Sequence, residues 1–109
     1  MKIAVPISEK NEAAIMARRF GRATYYLICD DQNDDIVIVE NPAVNARGGA
    51  GIQAVEFLIS KGVNTVIVPE VGPNAERVLR SANIDIFHGL DLSSKELIEK
   101  WKNSELRKI

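Results

Sequence analysis

Cysteine and histidine are almost absent from this sequence: Cys29 and His88 stand alone in 109 residues. A lone cysteine forms no internal disulfide, fits a reducing cytoplasm, and removes any metal motif built from cysteines alone. No apolar run approaches the roughly 20 residues that span a bilayer as a helix. Neither sign of charge dominates: 14 Lys+Arg stand against 15 Asp+Glu, a net charge of −1. Broad electrostatic binding of nucleic acid shows instead as a strongly basic domain. No leader is legible, because Met1-Lys2 runs straight into a short apolar segment. Enzyme signatures are also missing. There is no Gly-x-Ser-x-Gly, no Walker loop and no cysteine with a fitting partner, and the first strand carries none of the acids that a two-metal nuclease needs. What remains is an ordinary globular composition, 46% hydrophobic and 27% charged, sized for a single domain over residues 1–109.

Hydrophobic periodicity divides the chain into alternating strands and helices. Lys2 to Ile7 reads as a buried strand, with Pro6 near its end because proline cannot serve a central ladder position. Asn11 is placed to cap a short helical turn through Ala17, which Gly21 ends. Thr24 to Cys29, the acidic turn Asp30 to Asp35, and Ile36 to Glu40 read as a hairpin. Ile52, Val55, Leu58 and Ile59 recur at helical spacing, and Gly62 stops that helix. Thr65 to Val68 is another apolar strand, and Pro73 suits the first position of a helix closed by Asn83. Ile84 to Phe87 is a further strand. Ser93 and Glu96 form a capping box for a last helix, beyond which the charged residues 102–109 are expected to fray. The order is β, β-hairpin, α, β, α, β, α.

A hairpin reverses direction and helical crossovers return the chain parallel. The C-terminal ends of the first, third, fourth and fifth strands therefore share one sheet edge, where open α/β sheets bind ligands. Four segments should meet there: Arg18 to Arg22, Arg47 to Gly51, Glu70 to Asn74, and His88-Gly89. Arg47-Gly48-Gly49-Ala50-Gly51 opens into a helix, whose start carries roughly half a positive charge and favours an anion. Those glycines equally suit a plain turn. Gly49-x-Gly51-x-x-Ala54 with Glu70 beyond it has the spacing of a dinucleotide fingerprint. Asn41 to Arg47 separate it from its strand, however, and the second mononucleotide half is missing. Arg18, Arg19, Arg22 and Arg47 suit carboxylate or phosphate ligands by their forked donors, unless Glu9, Glu12 or Glu70 takes them as ion-pair partners. Cys29 alternates with Tyr25 and Leu27 and reads as a buried thiol. His88 reads as a polar end-of-strand residue. Metal ligation by His88 and Cys29 together has no spacing rule behind it.

Met1 to Pro6, Arg19-Phe20-Gly21-Arg22-Ala23 before an aromatic strand, Glu40-Asn41-Pro42, Gly48 to Gly51 and Gly72-Pro73-Asn74-Ala75 occur in an order and spacing that resemble a known family. Over residues 1 to about 88 the chain is similar to the dinitrogenase iron–molybdenum cofactor biosynthesis family, which includes NifX-like proteins and the C-terminal part of NifB-like proteins. The resemblance implies an α/β, ribonuclease H-like three-layer fold, a five-stranded mixed sheet with helices packed on it. It also implies a carrier of iron–sulfur or iron–molybdenum cofactors. In such carriers a histidine precedes Phe-Gly and is implicated in cluster binding, and here that position is Arg19. Arginine does not ligate iron through a neutral nitrogen at ordinary pH, because its pKa is too high. It can hold an anionic cluster, or a cluster's organic acid, by charge and hydrogen bonds. Loss of the histidine equally fits a branch that takes another ligand.

These readings lead to a non-enzymatic carrier or chaperone for an iron–sulfur or iron–molybdenum-type cluster. It would act with metallocluster assembly proteins, without nucleic acid or membrane, as a monomer or weak homodimer. The expected ligand site is Arg19, Phe20, Gly21, Arg22, Arg47, Gly48, Gly49, Ala50, Gly51, Gly72, Pro73 and Asn74, with His88 or Cys29 as an added metal ligand. The alternatives are an anion-binding regulatory module for a phosphorylated or carboxylated metabolite, and a protein-interaction domain with no small ligand.

Overall fold

The computed structural model describes residues 1–89 and 91–109. Its strands are β1 (Lys2–Ile7), β2 (Tyr25–Asp30), β3 (Ile36–Glu40), β4 (Thr65–Val68) and β5 (Asp85–His88), and its helices are α1 (Ala50–Ser60), α2 (Pro73–Ser81) and α3 (Ser94–Lys102). The strands form one mixed sheet in the order β3-β2-β1-β4-β5. β1 to β3 pair antiparallel, and β1, β4 and β5 run parallel. Residues 3–7 and 65–68 are buried without alternation because helices cover both faces of the sheet. Ala54, Val55 and Leu58 of α1 and Ala75 and Leu79 of α2 pack on one face with Ala4, Tyr26 and Val66. Leu97 and Ile98 of α3 pack on the other with Ile3, Val5 and Leu27. This three-layer α/β arrangement, a five-stranded mixed sheet with helices packed on it, is the one that the family resemblance implies, and it agrees with the element order read from the sequence.

Pro6 is accommodated although β1 is the central strand. The parallel ladder to β4 uses only Ile3 and Ala4, so Pro6 lies beyond it and pairs on the other side with Tyr26. Its carbonyl accepts from Ala17 N at 2.8 Å. A missing N–H therefore costs no ladder bond there.

Two expectations are corrected. No helix runs from Asn11 to Ala17. The Asn11 side chain instead accepts from Ala13 N at 3.0 Å, making a side-chain turn that competes with helix formation. The chain then extends, Met16 bridges to Ile7 and Ile15 to Ser93, and Ala14, Met16 and Ala17 are buried. Nor do the last residues fray. His88 N donates to Arg107 O and Ile109 N to Ile86 O, both at 2.8 Å, so the tail lies along the outer side of β5. Leu106 packs beside the Phe87–Trp101 pair, whose rings meet edge-on at 6.5 Å.

Because the tail supplies backbone partners and an apolar contact, removing Leu106 to Ile109 should leave the fold intact. It should lower its stability by about 2–4 kcal/mol, measured as a shift in the urea midpoint at unchanged slope.

Candidate functional site

The C-terminal edge of the parallel strands opens into a cleft of about 370 Å³. Its walls come from three of the four segments expected there. One is the β1–β2 connection from Arg18 to Arg22, the second the start of α1 from Gly49 to Ile52, and the third the β4–α2 turn from Glu70 to Ala75. Arg19, Phe20, Gly21, Arg22, Gly49, Ala50, Gly51, Gly72, Pro73 and Asn74 are thus brought together. Arg18, Ile52, Glu70 and Val71 complete the lining. Arg47 and Gly48 stand exposed just before the helix start and do not line it.

Both helices that point into the cleft begin on glycine. Gly49, the N-cap of α1, has φ 68°, a left-handed conformation that strains any residue with a Cβ, and Gly72 is the N-cap of α2 with Pro73 behind it. Neither N-cap supplies a side-chain acceptor. The positive ends of two helix dipoles therefore border one opening without a side-chain cap, although Pro73 brings no N–H to the start of α2. Three arginines line the same opening against one carboxylate, Glu70. Among the described residues none of Arg18, Arg19, Arg22 and Arg47 is in an ion pair, so the alternative, in which Glu9, Glu12 or Glu70 takes them, is not seen. Arg22 is steered by backbone, its guanidinium donating to Ala46 O and, at 3.4 Å, to Val44 O.

The arginine loop is held down by residues that carry no ligand chemistry. A Cβ on Gly21 would lie 2.7 Å from Gly51 Cα, so the loop rests directly on α1 only because residue 21 has no side chain. Phe20 is buried as part of the floor and packs on Tyr26 with ring centroids 5.6 Å apart. The Tyr26 hydroxyl donates to Phe20 O, and burial pushes its pKa up. Buried Asn41 joins the loop to the β3–α1 connection. Its Nδ2 donates to Gly21 O at 3.0 Å and Ala23 O at 2.9 Å, and its Oδ1 accepts from Ala43 N at 2.9 Å. Sequence reasoning did not assign Asn41 or Tyr26 to this role. The signal available for Asn41 was an asparagine directly after a strand and before proline, a position suited to side-chain turns.

The two soft-ligand candidates lie elsewhere and apart. Cys29 pairs through Ile3 and Thr65 with Asp85, three strands away and three residues before His88. Strand spacing and rise alone put Cys29 and His88 roughly 17 Å apart. Cys29 belongs to the α3-facing core, whereas strand alternation turns His88 to the opposite face. The Cys29 thiol is buried, which pushes its pKa up. His88 is half-buried on β5. Neither lines the cleft. Among the described residues no three of His, Cys, Asp and Glu form a metal-binding group.

Two substitutions test this scaffold. Asn41→Ala leaves two carbonyls and one N–H without their partners and should cost about 2–4 kcal/mol. Gly21→Ala should cost about 1–3 kcal/mol by forcing the loop off the helix. Each should lower the melting temperature and broaden the amide signals of residues 18–24 before those of the sheet.

The whole chain is similar to proteins whose fold and sequence have been described. An uncharacterized protein of Methanocaldococcus jannaschii is 32% identical over 112 aligned positions, which cover 100% of this chain and 92% of that one. The solution structure of a Thermotoga protein, described as a NifB candidate of the DUF35 family, superposes with a TM-score of 0.87. It is 30% identical, and the match covers 98% of this chain and 91% of that one. The apo form of the orange protein from Desulfovibrio gigas superposes with a TM-score of 0.95 over 99% of this chain and 92% of its own. At 24% identity that likeness carries the fold alone. The family model described as dinitrogenase iron-molybdenum cofactor matches residues 1–104, and this chain belongs to that family.

Proposed function

We propose that this chain is a carrier, without catalytic chemistry of its own, for an anionic iron–sulfur or iron–molybdenum-type cluster or a precursor of one. The observation that carries the reading is the cleft's donor set. Among the described residues Arg18, Arg19 and Arg22 have no carboxylate partner, and two helix starts without side-chain caps border the same opening. Among the lining residues there is no cysteine or histidine. Such a site binds negative charge from outside the coordination sphere. Guanidinium forks and backbone N–H groups would donate to sulfide, oxo or carboxylate atoms on the cargo's surface, over the apolar floor of Phe20. Arg19 would act as an electrostatic clamp in the position before Phe-Gly, not as an iron ligand. A cargo held this way leaves by charge competition, without breaking a metal–protein bond, which suits handover to metallocluster assembly proteins. A single buried free thiol accords with a reducing, cytoplasmic setting.

The same donors would also hold a phosphorylated or carboxylated metabolite, and the absence of soft ligands from the lining favours this as the second reading. Anaerobic incubation with ferrous iron and sulfide, then desalting and iron counting, separates the two. Under the cluster reading the protein retains iron in stoichiometric amount. The Arg18→Ala, Arg19→Ala double variant should bind at least about tenfold more weakly, as expected when charge-assisted bonds worth about 1.5–3 kcal/mol each are lost. Cys29→Ala and His88→Ala should retain as much as the parent. Salt near 1 M, where screening shortens to about 3 Å, should strip much of the iron. Iron-free protein would sink the cluster reading, and a thermal shift with inorganic phosphate that R19A abolishes would establish the anion module in its place.

A further inference from the structure

The fold treats the two edges of its sheet differently. At the β5 edge the chain covers itself, through the bonds that Arg107 and Ile109 make with His88 and Ile86. At the other edge β3 has one neighbour, β2, and among the described residues nothing pairs with its outer side. The orientation of its backbone groups follows from the hairpin. Asp30 N donates to Asp35 O at 2.9 Å and Asn41 N to Thr24 O at 3.0 Å. Antiparallel ladders alternate, so Val37 and Val39 bond to β2 as well. The N–H and C=O groups of Ile36, Ile38 and Glu40 therefore point away from the sheet. Val37 and Ile36 are 53% and 42% exposed, on opposite faces of the strand. No lysine, proline or bulge interrupts Ile36 to Glu40, and the one charge on this short strand is Glu40 at its end.

Charge distinguishes the occupant. Asp35 and Glu40 bracket the strand, and neither is in an ion pair among the described residues. Beside Val37 a groove of about 400 Å³ is lined by Asp30 and Asp35. Its one cation, Lys2, is turned away to Lys61 O at 3.4 Å. A second copy fits poorly: antiparallel self-pairing would place two Asp35 and two Glu40 carboxylates along one seam without a cation. We propose that the open edge of β3 docks an extended, lysine- or arginine-flanked segment of a partner polypeptide, taken up as an added strand. Main-chain bonds to Ile36, Ile38 and Glu40 supply the pairing, Ile36 and Val37 the apolar contact on either face, and Asp35 and Glu40 the choice of a basic partner.

The test uses the full chain and a blocked nonapeptide of alternating valine and threonine with two lysines at each end. Amide exchange is followed by NMR. Saturating peptide should slow exchange at Ile36, Ile38 and Glu40 by about tenfold or more while leaving Val37 and Val39, already bonded to β2, unchanged. The Asp35→Lys, Glu40→Lys double variant should lose about tenfold in affinity and instead accept a nonapeptide of the same core with two glutamates at each end. Ile36→Pro, which deletes an outward N–H at a position where an edge strand tolerates proline, should weaken binding without touching charge. No protection at those three amides, or protection indifferent to charge reversal, overturns the proposal. So does protection that grows with protein concentration in the absence of peptide, because the occupant would then be a second copy. Iron retention by the cleft is measured separately, so this proposal stands or falls independently of the cargo.

Discussion

The candidate site depends on one close approach, that of the Gly21 backbone to the first turn of α1. A methyl group at residue 21 would sit 2.7 Å from Gly51 Cα and 2.8 Å from Gly51 N, and one at Gly51 would meet the Ala75 Cβ at 3.1 Å. Three small residues in a line thus allow the arginine loop, α1 and α2 to converge at a distance that ordinary side chains forbid. The convergence is what brings two helix starts and Arg18, Arg19 and Arg22 into the lining of one cleft. Asn41 and Tyr26 then fix the loop by hydrogen bonds to Phe20, Gly21 and Ala23. Donors held by backbone in this way need little reordering to meet an anion, which is the advantage of a preorganised site.

A net charge near zero conceals a separation of charge along the strands. Arg18, Arg19 and Arg22 lie at the end where β1 stops and β2 begins, with Arg47 nearby. Asp30, Asp31, Asp34 and Asp35 lie at the hairpin where β2 ends. Lys102 engages Asp34 and the N-terminal ammonium lies 3.0 Å from Asp31, so part of the acidic end is neutralised by the fold, whereas among the described residues none of the four arginines is in an ion pair. The field of such a chain favours anions at the cleft and basic surfaces at the hairpin. Cargo and partner would then approach at different places.

Strands and helices were legible wherever local chemistry and burial agree. The continuous apolar runs of β1 and β4, the Ser93–Glu96 capping box, Pro73 at the start of α2 and the acidic turn of the hairpin all lie where the residues imply. Asn11 was misread because a side-chain turn and a helix cap begin with the same residue type; only the chain partners at Ile7 and Ser93 select the extended form. The tail was misread because Lys102 to Ile109 is mostly polar or charged, and its anchorage comes from backbone bonds to β5 and from Leu106. Arg47 and Gly48 sit next to the site in sequence and outside it in space, since the left-handed turn at Gly49 redirects the chain there.

By itself the sequence determined the order of elements, the hairpin and the crossovers, and hence which loops share a sheet edge. These follow from periodicity, turn residues and chain handedness, all of which act over short stretches. Only the tertiary structure decided that, among the described residues, Arg18, Arg19 and Arg22 stay free of carboxylates and β3 has no second neighbour, that Cys29 and His88 are on opposite faces and far apart, and that the tail closes the other edge of the sheet. Each of these depends on groups distant in sequence meeting or failing to meet. That outcome is set by packing across the two cores and by close contacts such as Gly21 on Gly51, to which no local pattern of residues corresponds.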